Sequence, residues 1–505
     1  MSINAPGRLN KIAGHPFFLY LLPLFFVFHG FMENYFLIPV SACVLLLLKY
    51  LCVTIILHGL FFFFLRNNCK AVFISFILLL VNFFFGYFHD MLKAVAPASF
   101  ISGYSFVLPF LLLFVLGAFI IIRKKTIGHK PIVYLNCLFL LLLVIDLLSL
   151  IKKKSNYDRQ LQIKNINSNF VACDICHKPD VYLIVADEYA GEKTLKEIYN
   201  FDNSRFYNDL KERNFQVINN SFSNYNLTTI SIASLLNLDY PELKSKDLSH
   251  IPMSPIYNQI DTNILVPFFQ FHGYEFINNS IFQVSGHPQF AIQPFTPVST
   301  RIIESQTLIN RLMKDLGYLL VKWGIYGNAY GDNVYTVLNN NNKIIENLKK
   351  QVTVKSKKPR FSYSHLLMPH FPYYFDSLGN ATPKSLISGD ERNYWQEGRY
   401  LSYLKYTNGV LVNLLDYILQ HSATPPVIIL LSDHGCRLFS KPVKEEYHFY
   451  NLNATYLPAE YNADFPDSIS NISYMRSLIN VLFHQNLNIY KQDRFFIPRS
   501  KPDSH

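Results

Sequence analysis

Charge is scarce in this chain and unevenly spread. Only 16% of its 505 residues are Asp, Glu, Lys or Arg, against roughly 25% in soluble domains. The first 155 residues hold just three acidic side chains, Glu33, Asp90 and Asp146, beside thirteen of the 46 basic ones. That stretch has a balance of +10 and the rest of the chain +1. The formal net charge of +11 is therefore no sign of a nucleic-acid-binding face, because the part that could form one is nearly neutral. Half of the residues are hydrophobic, which excludes intrinsic disorder. Cysteine falls short of a zinc knuckle: Cys173-Asp-Ile-Cys176 has no second pair, and only Cys436 follows it. A local disulfide in an oxidising compartment, or a plain linker feature, is expected there instead.

Long apolar runs fill the first third. Crossing a bilayer takes about 20 mostly apolar residues, and segments near 16–35, 38–65, 71–92, 103–122 and 131–151 reach that length. Five spans are expected, making this an integral, multi-pass membrane protein. The first run is too long for a removed signal peptide and lacks a small-residue cleavage site, so it reads as an anchor. Arg8 and Lys11, Arg66 and Lys70, and Arg123, Lys124, Lys125 and Lys130 fall on one side of such a bundle, and basic loops face the cytoplasm. Lys93 and the Lys152–Lys154 run lie against that rule. Everything after Ile151 is then extracytoplasmic. Lys49 sits inside the second run, where it is costly, and Asp146 is expected to snorkel or to pair with it. A structural role is expected for Asp146 and His58 ahead of a lipid or substrate one. The chain thus divides into a transmembrane domain at 1–154, a linker at 155–178 and a second domain at 179–505.

In that second domain, apolar strand signals alternate with helical ones. Asp180-Val-Tyr-Leu-Ile-Val-Ala-Asp187 and Pro425-Pro-Val-Ile-Ile-Leu-Leu-Ser-Asp433 are apolar runs that end in carboxylates, the second followed by His434-Gly435. Such runs suit a mostly parallel sheet covered on both faces. Helical patterns at Lys193–Glu212, Thr228–Asn237, Asn263–His272, Ile309–Trp323, Asn333–Gln351 and Tyr400–Gln420 complete an α/β domain. Ligands bind beyond the carboxyl ends of the strands in open α/β sheets. Two carboxylates and an imidazole gathered there make a hard-to-borderline divalent cation site, open to zinc, manganese or magnesium. Thr228 opens an apolar helix, where free N–H groups and the helix dipole favour an anion. A hydroxyl bound there to a metal is a nucleophile in waiting; an ordinary N-cap is the competing reading. Spacing does not separate Thr228 from Thr229. His370, in His365-Leu-Leu-Met-Pro-His370-Phe-Pro, stands in a loop suited to proton donation to a leaving group.

These motifs, in this order, resemble the alkaline phosphatase/sulfatase superfamily. Pro179-Asp-Val-Tyr-Leu-Ile-Val-Ala-Asp187, Tyr199-Asn-Phe-Asp-Asn203, Ser223-Asn-Tyr225, Leu236-Asn-Leu-Asp-Tyr240, Pro-His370-Phe-Pro and Asp433-His-Gly carry the likeness. Within the superfamily the chain is similar to the membrane-anchored branch of lipoteichoic acid synthases and phosphoethanolamine transferases. The resemblance implies an alkaline-phosphatase-like α/β domain with Asp187, Thr228, Asp433 and His434 around one divalent metal. It further implies Thr228, three residues after Tyr225, as nucleophile, and His370 against the transferred group. Glu188 is the alternative to Asp187; on an extended chain it should point the other way. His448 is the one further ligand candidate. True sulfatases carry Cys or Ser in a C/S-x-P-x-R context, and nothing around Thr228 has that form. The implied activity is transfer of a phospho-headgroup from a membrane lipid donor to a surface glycan or glycolipid, at a bacterial cytoplasmic membrane. Ester hydrolysis on the same fold and a non-catalytic membrane scaffold are the rivals.

Overall fold

The computed structural model describes residues 15–35, 37–96, 99–167, 170–173, 175–243, 253–292, 300–313, 334–387, 395–461 and 463–498. The chain divides into two compact units: Met1–Gln160 with Phe295–Asn328 and Lys501–His505, and Leu161–Pro294 with Ala329–Ser500.

The first unit is helical because its apolar runs leave the backbone to satisfy its own hydrogen bonds, as lipid requires. Among the described residues its long helices are α1 (Phe18–Glu33), α2 (Val40–Leu65), α3 (Asn68–Val95), α4 (Tyr104–Lys124) and α5 (His129–Asn167). Among the described residues, four helices, α2, α3, α4 and the His129–Ser155 part of α5, are long and apolar enough to cross a membrane. The expected first span forms a shorter apolar helix of 16 residues. Inside the bundle Phe26 stacks on Phe83, ring centroids 4.6 Å apart.

The expected Asp146–Lys49 pair does not form. Asp146 lies 3.1 Å from His29 Nδ1 through both carboxylate oxygens, a nearer partner across the bundle. Lys49 pairs with Glu304 at 2.7 Å. Glu304 comes from a short segment that returns to this unit from much later in the chain. There Ile303 is buried with Phe18, Leu22 and Phe26, the Gln306 carbonyl accepts the Gly86 N–H (2.8 Å), and Arg311 grips Asp90 through two hydrogen bonds. A Cβ on Gly86 would stand 2.8 Å from the Gln306 Cα, so this approach needs glycine.

The second unit is built on a six-stranded sheet in the order β2–β6–β5–β1–β4–β3. Its strands are β1 (Val181–Ala186), β2 (Gln216–Val217), β3 (Glu275–Asn279), β4 (Arg360–Leu366), β5 (Val427–Leu431) and β6 (Asn453–Tyr456). β5, β1, β4 and β3 run parallel, while β6 is antiparallel to β5 and to β2. The mostly parallel sheet expected from the apolar runs is therefore present, with β1 and β5 buried throughout. Strand register aligns the carboxyl ends: Val185 pairs with His365 on one side and Leu431 on the other. The residues just past β1 and β5 thus stand level with the end of β4.

The helix at Thr228–Asn237 forms over the expected residues. The Lys193–Glu212 pattern gives two helices, Glu192–Glu197 and Ser204–Glu212. They part where Asn200 turns to a positive φ of 48° and Asp202 accepts the Ser204 N–H. Most of the Ile309–Trp323 pattern lies outside the described residues.

Candidate metal and nucleophile site

Three strand ends and one helix start converge. Asp187 follows β1 and is held by its N–H to the Leu366 carbonyl (2.9 Å). Asp433 and His434 follow β5 after Ser432, and His365 projects from the end of β4. Thr228 opens its helix, where the preceding Leu227 offers no capping side chain. Thr228 Oγ1 lies 3.1 Å from His434 Nε2 and 3.5 Å from Asp187 Oδ1. His434 Nε2 is 3.3 Å from Asp433 Oδ2 and 4.0 Å from Asp187 Oδ1. The four residues expected to meet do so.

The ring of His434 is oriented from behind. Its Nδ1 donates to the Gly435 carbonyl at 2.7 Å, which leaves Nε2 as the acceptor facing Thr228. Gly435 is required there because a Cβ would come within 2.5 Å of the Tyr450 carbonyl oxygen. Ser432 braces the turn by donating to the His434 carbonyl (2.7 Å) and accepting the Tyr189 N–H (2.9 Å). Its own carbonyl takes the side-chain amides of Asn451 and Asn471.

Sequence reasoning missed His365 as a member of this group. Its Nε2 is 3.5 Å from Asp187 Oδ2, and its Nδ1 is 3.0 Å from the Tyr363 hydroxyl. Asp187, His365 and Asp433 present atoms within 4.8 Å of one another, all buried. Among the described residues, Asp433 Oδ2 and His365 Nε2 are buried without a hydrogen-bond partner. Burial pushes His365 and His434 down to about 4, so both rings are neutral with lone pairs to offer. Burial alone would raise the Asp433 carboxyl, yet it is held low, with the Glu188 N–H donating to it. Carboxylates gathered in a dry cage are costly to ionise without a countercharge. Neutral imidazoles, carboxylates and a hydroxyl are the donors a divalent cation takes. The residues fit such an ion.

Glu188 behaves differently from a strand residue. Its φ is +60°, so the chain turns at once. Its N–H donates to Asp433 Oδ1 (3.1 Å) and its carboxylate accepts the Arg437 N–H (2.7 Å). The other oxygen lies 3.5 Å from His370 Nε2. His370 therefore stands over Glu188, with its Nδ1 donating to the Phe371 carbonyl (2.6 Å). His448 packs between Phe439 and Phe496 and supplies its carbonyl to the Gly435 N–H. Cys173 and Cys176 form a disulfide, the first of the two outcomes their spacing allowed.

Among solved structures, the C-terminal periplasmic domain of EptC from Escherichia coli, in complex with Zn, is 11% identical. It aligns over 62% of this chain and 84% of its own, with a TM-score of 0.39. A protein in the alkaline phosphatase superfamily from Vibrio parahaemolyticus is 13% identical over 65% and 75%, with a TM-score of 0.34. The integral membrane lipooligosaccharide phosphoethanolamine transferase A from Neisseria meningitidis is 13% identical over 92% and 95%, with a TM-score of 0.35. No curated protein matches the chain. Residues 179–468 match the family model described as Sulfatase. Since that match takes in more than half of its residues, the chain belongs to the sulfatase family.

Proposed function

We propose that this sulfatase-family enzyme transfers a phospho-headgroup from a membrane lipid to a hydroxyl on a surface glycan or glycolipid, through a phosphothreonine at Thr228. The observation that carries this reading is the position of Thr228 Oγ1, at a helix start and within 3.5 Å of both His434 and Asp187. A divalent ion, zinc, manganese or magnesium, held by Asp187, Thr228, Asp433 and His434 with His365 beside them, would supply the charge that lowers the hydroxyl's pKa.

Thr228 Oγ, its proton already lost to solvent, attacks phosphorus. The Oγ–P bond forms as the bond from phosphorus to the lipid oxygen breaks. The helix N-terminus faces the phosphoryl oxygens with N–H groups that have no partner within the helix. His370 Nε2, which lies 3.5 Å from Glu188 while Nδ1 is tied to the Phe371 carbonyl, hands its proton to the departing lipid alkoxide. The acceptor hydroxyl then returns a proton to His370 and takes the phospho-group, regenerating the Thr228 alkoxide. Helices able to cross a membrane, on the same chain, favour a lipid donor because tethering raises the effective concentration of headgroup at the site. The absence of a C/S-x-P-x-R sequence around Thr228 favours phosphorus over sulfate esters.

Intact-mass measurement of the protein after incubation with bacterial lipid extract tests the scheme. A mass gain that maps to Thr228 and vanishes in Thr228→Ala is expected, with metal content retained in the variant. Turnover surviving in Thr228→Ala removes the covalent route. Product analysis with and without a hydroxyl acceptor separates transfer from hydrolysis by water, and an extracytoplasmic site is required for either surface acceptor.

A further inference from the structure

The geometry points to Asn226 and the C-terminal segment 493–497 as a strap that positions Thr228; this rests on Thr228 being the nucleophile. Three consecutive residues just before Thr228 are each held by that segment. Asn224 donates its side-chain amide to the Asp493 carbonyl (2.8 Å) and accepts the Phe495 N–H at its own carbonyl (2.9 Å). Tyr225 bridges to Phe495 and stacks on its ring, centroids 5.3 Å apart. Asn226 accepts the Ile497 N–H at Oδ1 (2.8 Å) and returns a hydrogen bond from Nδ2 to the Ile497 carbonyl (3.2 Å). Asn224 and Asn226 are 1% and 2% exposed.

The same strap reaches the other side of the site. Arg494 lies over the Phe222 ring at 4.0 Å and the Tyr450 ring at 4.9 Å. Tyr450 in turn accepts the Gly191 N–H at its carbonyl. One short segment thus ties the loop before Thr228 to the loops that follow β1 and β5. The helix that Thr228 opens has no capping side chain of its own, so its start is placed from outside. The family match ends at residue 468, and the strap lies beyond it.

A nucleophile misplaced by about 1 Å loses up to about 100-fold in rate. The paired asparagine is a positioning residue, and its loss should therefore act on kcat. The test uses the full-length protein in detergent with added zinc and bis(p-nitrophenyl) phosphate as a soluble diester. Asn226→Ala, which removes both side-chain bonds, and Ile497→Pro, which removes the donor to Asn226, should each lower kcat about 10- to 100-fold. KM and bound zinc should stay unchanged, the double variant should be no worse than either, and Asn226→Asp, which keeps the acceptor, should recover most of the rate. An unchanged kcat, a fall that tracks lost zinc or lost folded protein, or multiplicative losses in the double variant would overturn the strap. If Asn226→Ala does not fold, Ile497→Pro and Asn226→Asp carry the same comparison. Full activity in Thr228→Ala would instead remove the nucleophile, whatever the strap variants do.

Discussion

His365 and His370 are five residues apart and do different work. His365 is fully buried against Asp187, whereas His370 is partly open and faces Glu188. Tyr363→Phe removes only the hydroxyl behind His365; groups at that remove typically change metal affinity about 10- to 100-fold. Zinc competition against a chelator should show a weakening of that size, and unaltered affinity takes His365 out of the ion's shell. His370→Ala should cost about 100- to 10,000-fold in kcat on a lipid donor, whose alkoxide needs a proton to leave. The loss should nearly disappear with a p-nitrophenyl diester, whose leaving group needs none. Equal losses on both substrates would deny His370 the role of acid. Asp187, Asp433 and His434 were legible because polar residues that end apolar strands stand out. His365 was not, because it shares one face of β4 with Phe361 and Tyr363 and reads as a core histidine. The turn at Glu188 was equally hidden, since nothing in its sequence calls for a positive φ.

At the scale of elements, the segment around Ile303 to Arg311 shows how little exposed chemistry a docking contact needs. Its hold on the helices includes close contacts at Gly30 and Gly86, two ion pairs and one buried isoleucine. Gly86→Val puts a branched side chain into the Gln306 backbone, an overpacking that costs about 1–3 kcal/mol. Trypsin should then cut faster after Arg301 and Arg311, while hydrolysis of a soluble diester is unaffected. Unaltered cleavage would mean that Gly86 does not set this contact. Apolar periodicity disclosed α2 to α5 and the central strands well, because burial dictates both. It had no means of assigning Lys49 or Asp146 their partners, which depend on which helices meet. The C-terminal strap was similarly silent: Asn224 and Asn226 read as loop residues until the chain end is laid beside them.

For the whole molecule, the asymmetry of basic residues makes a topological statement that Cys69 can test. It stands in the first turn of α3, three residues after Arg66, on the side expected to face the cytoplasm. In a variant lacking the other free cysteines, a membrane-impermeant maleimide should label Cys69 only after cells are permeabilised. Labelling in intact cells would invert the orientation and place the site inside.

Sequence distance within the ion cage also governs when it can exist. Asp187 and His434 are brought together by β1 and β5, strands with more than 200 residues between them. A nascent chain therefore carries Asp187, Thr228 and His365 well before Asp433 and His434 are made. A cation held by these residues, and any chemistry that depends on it, would have to wait until β5 has joined β1. On the proposed scheme, the unfinished chain would be inert.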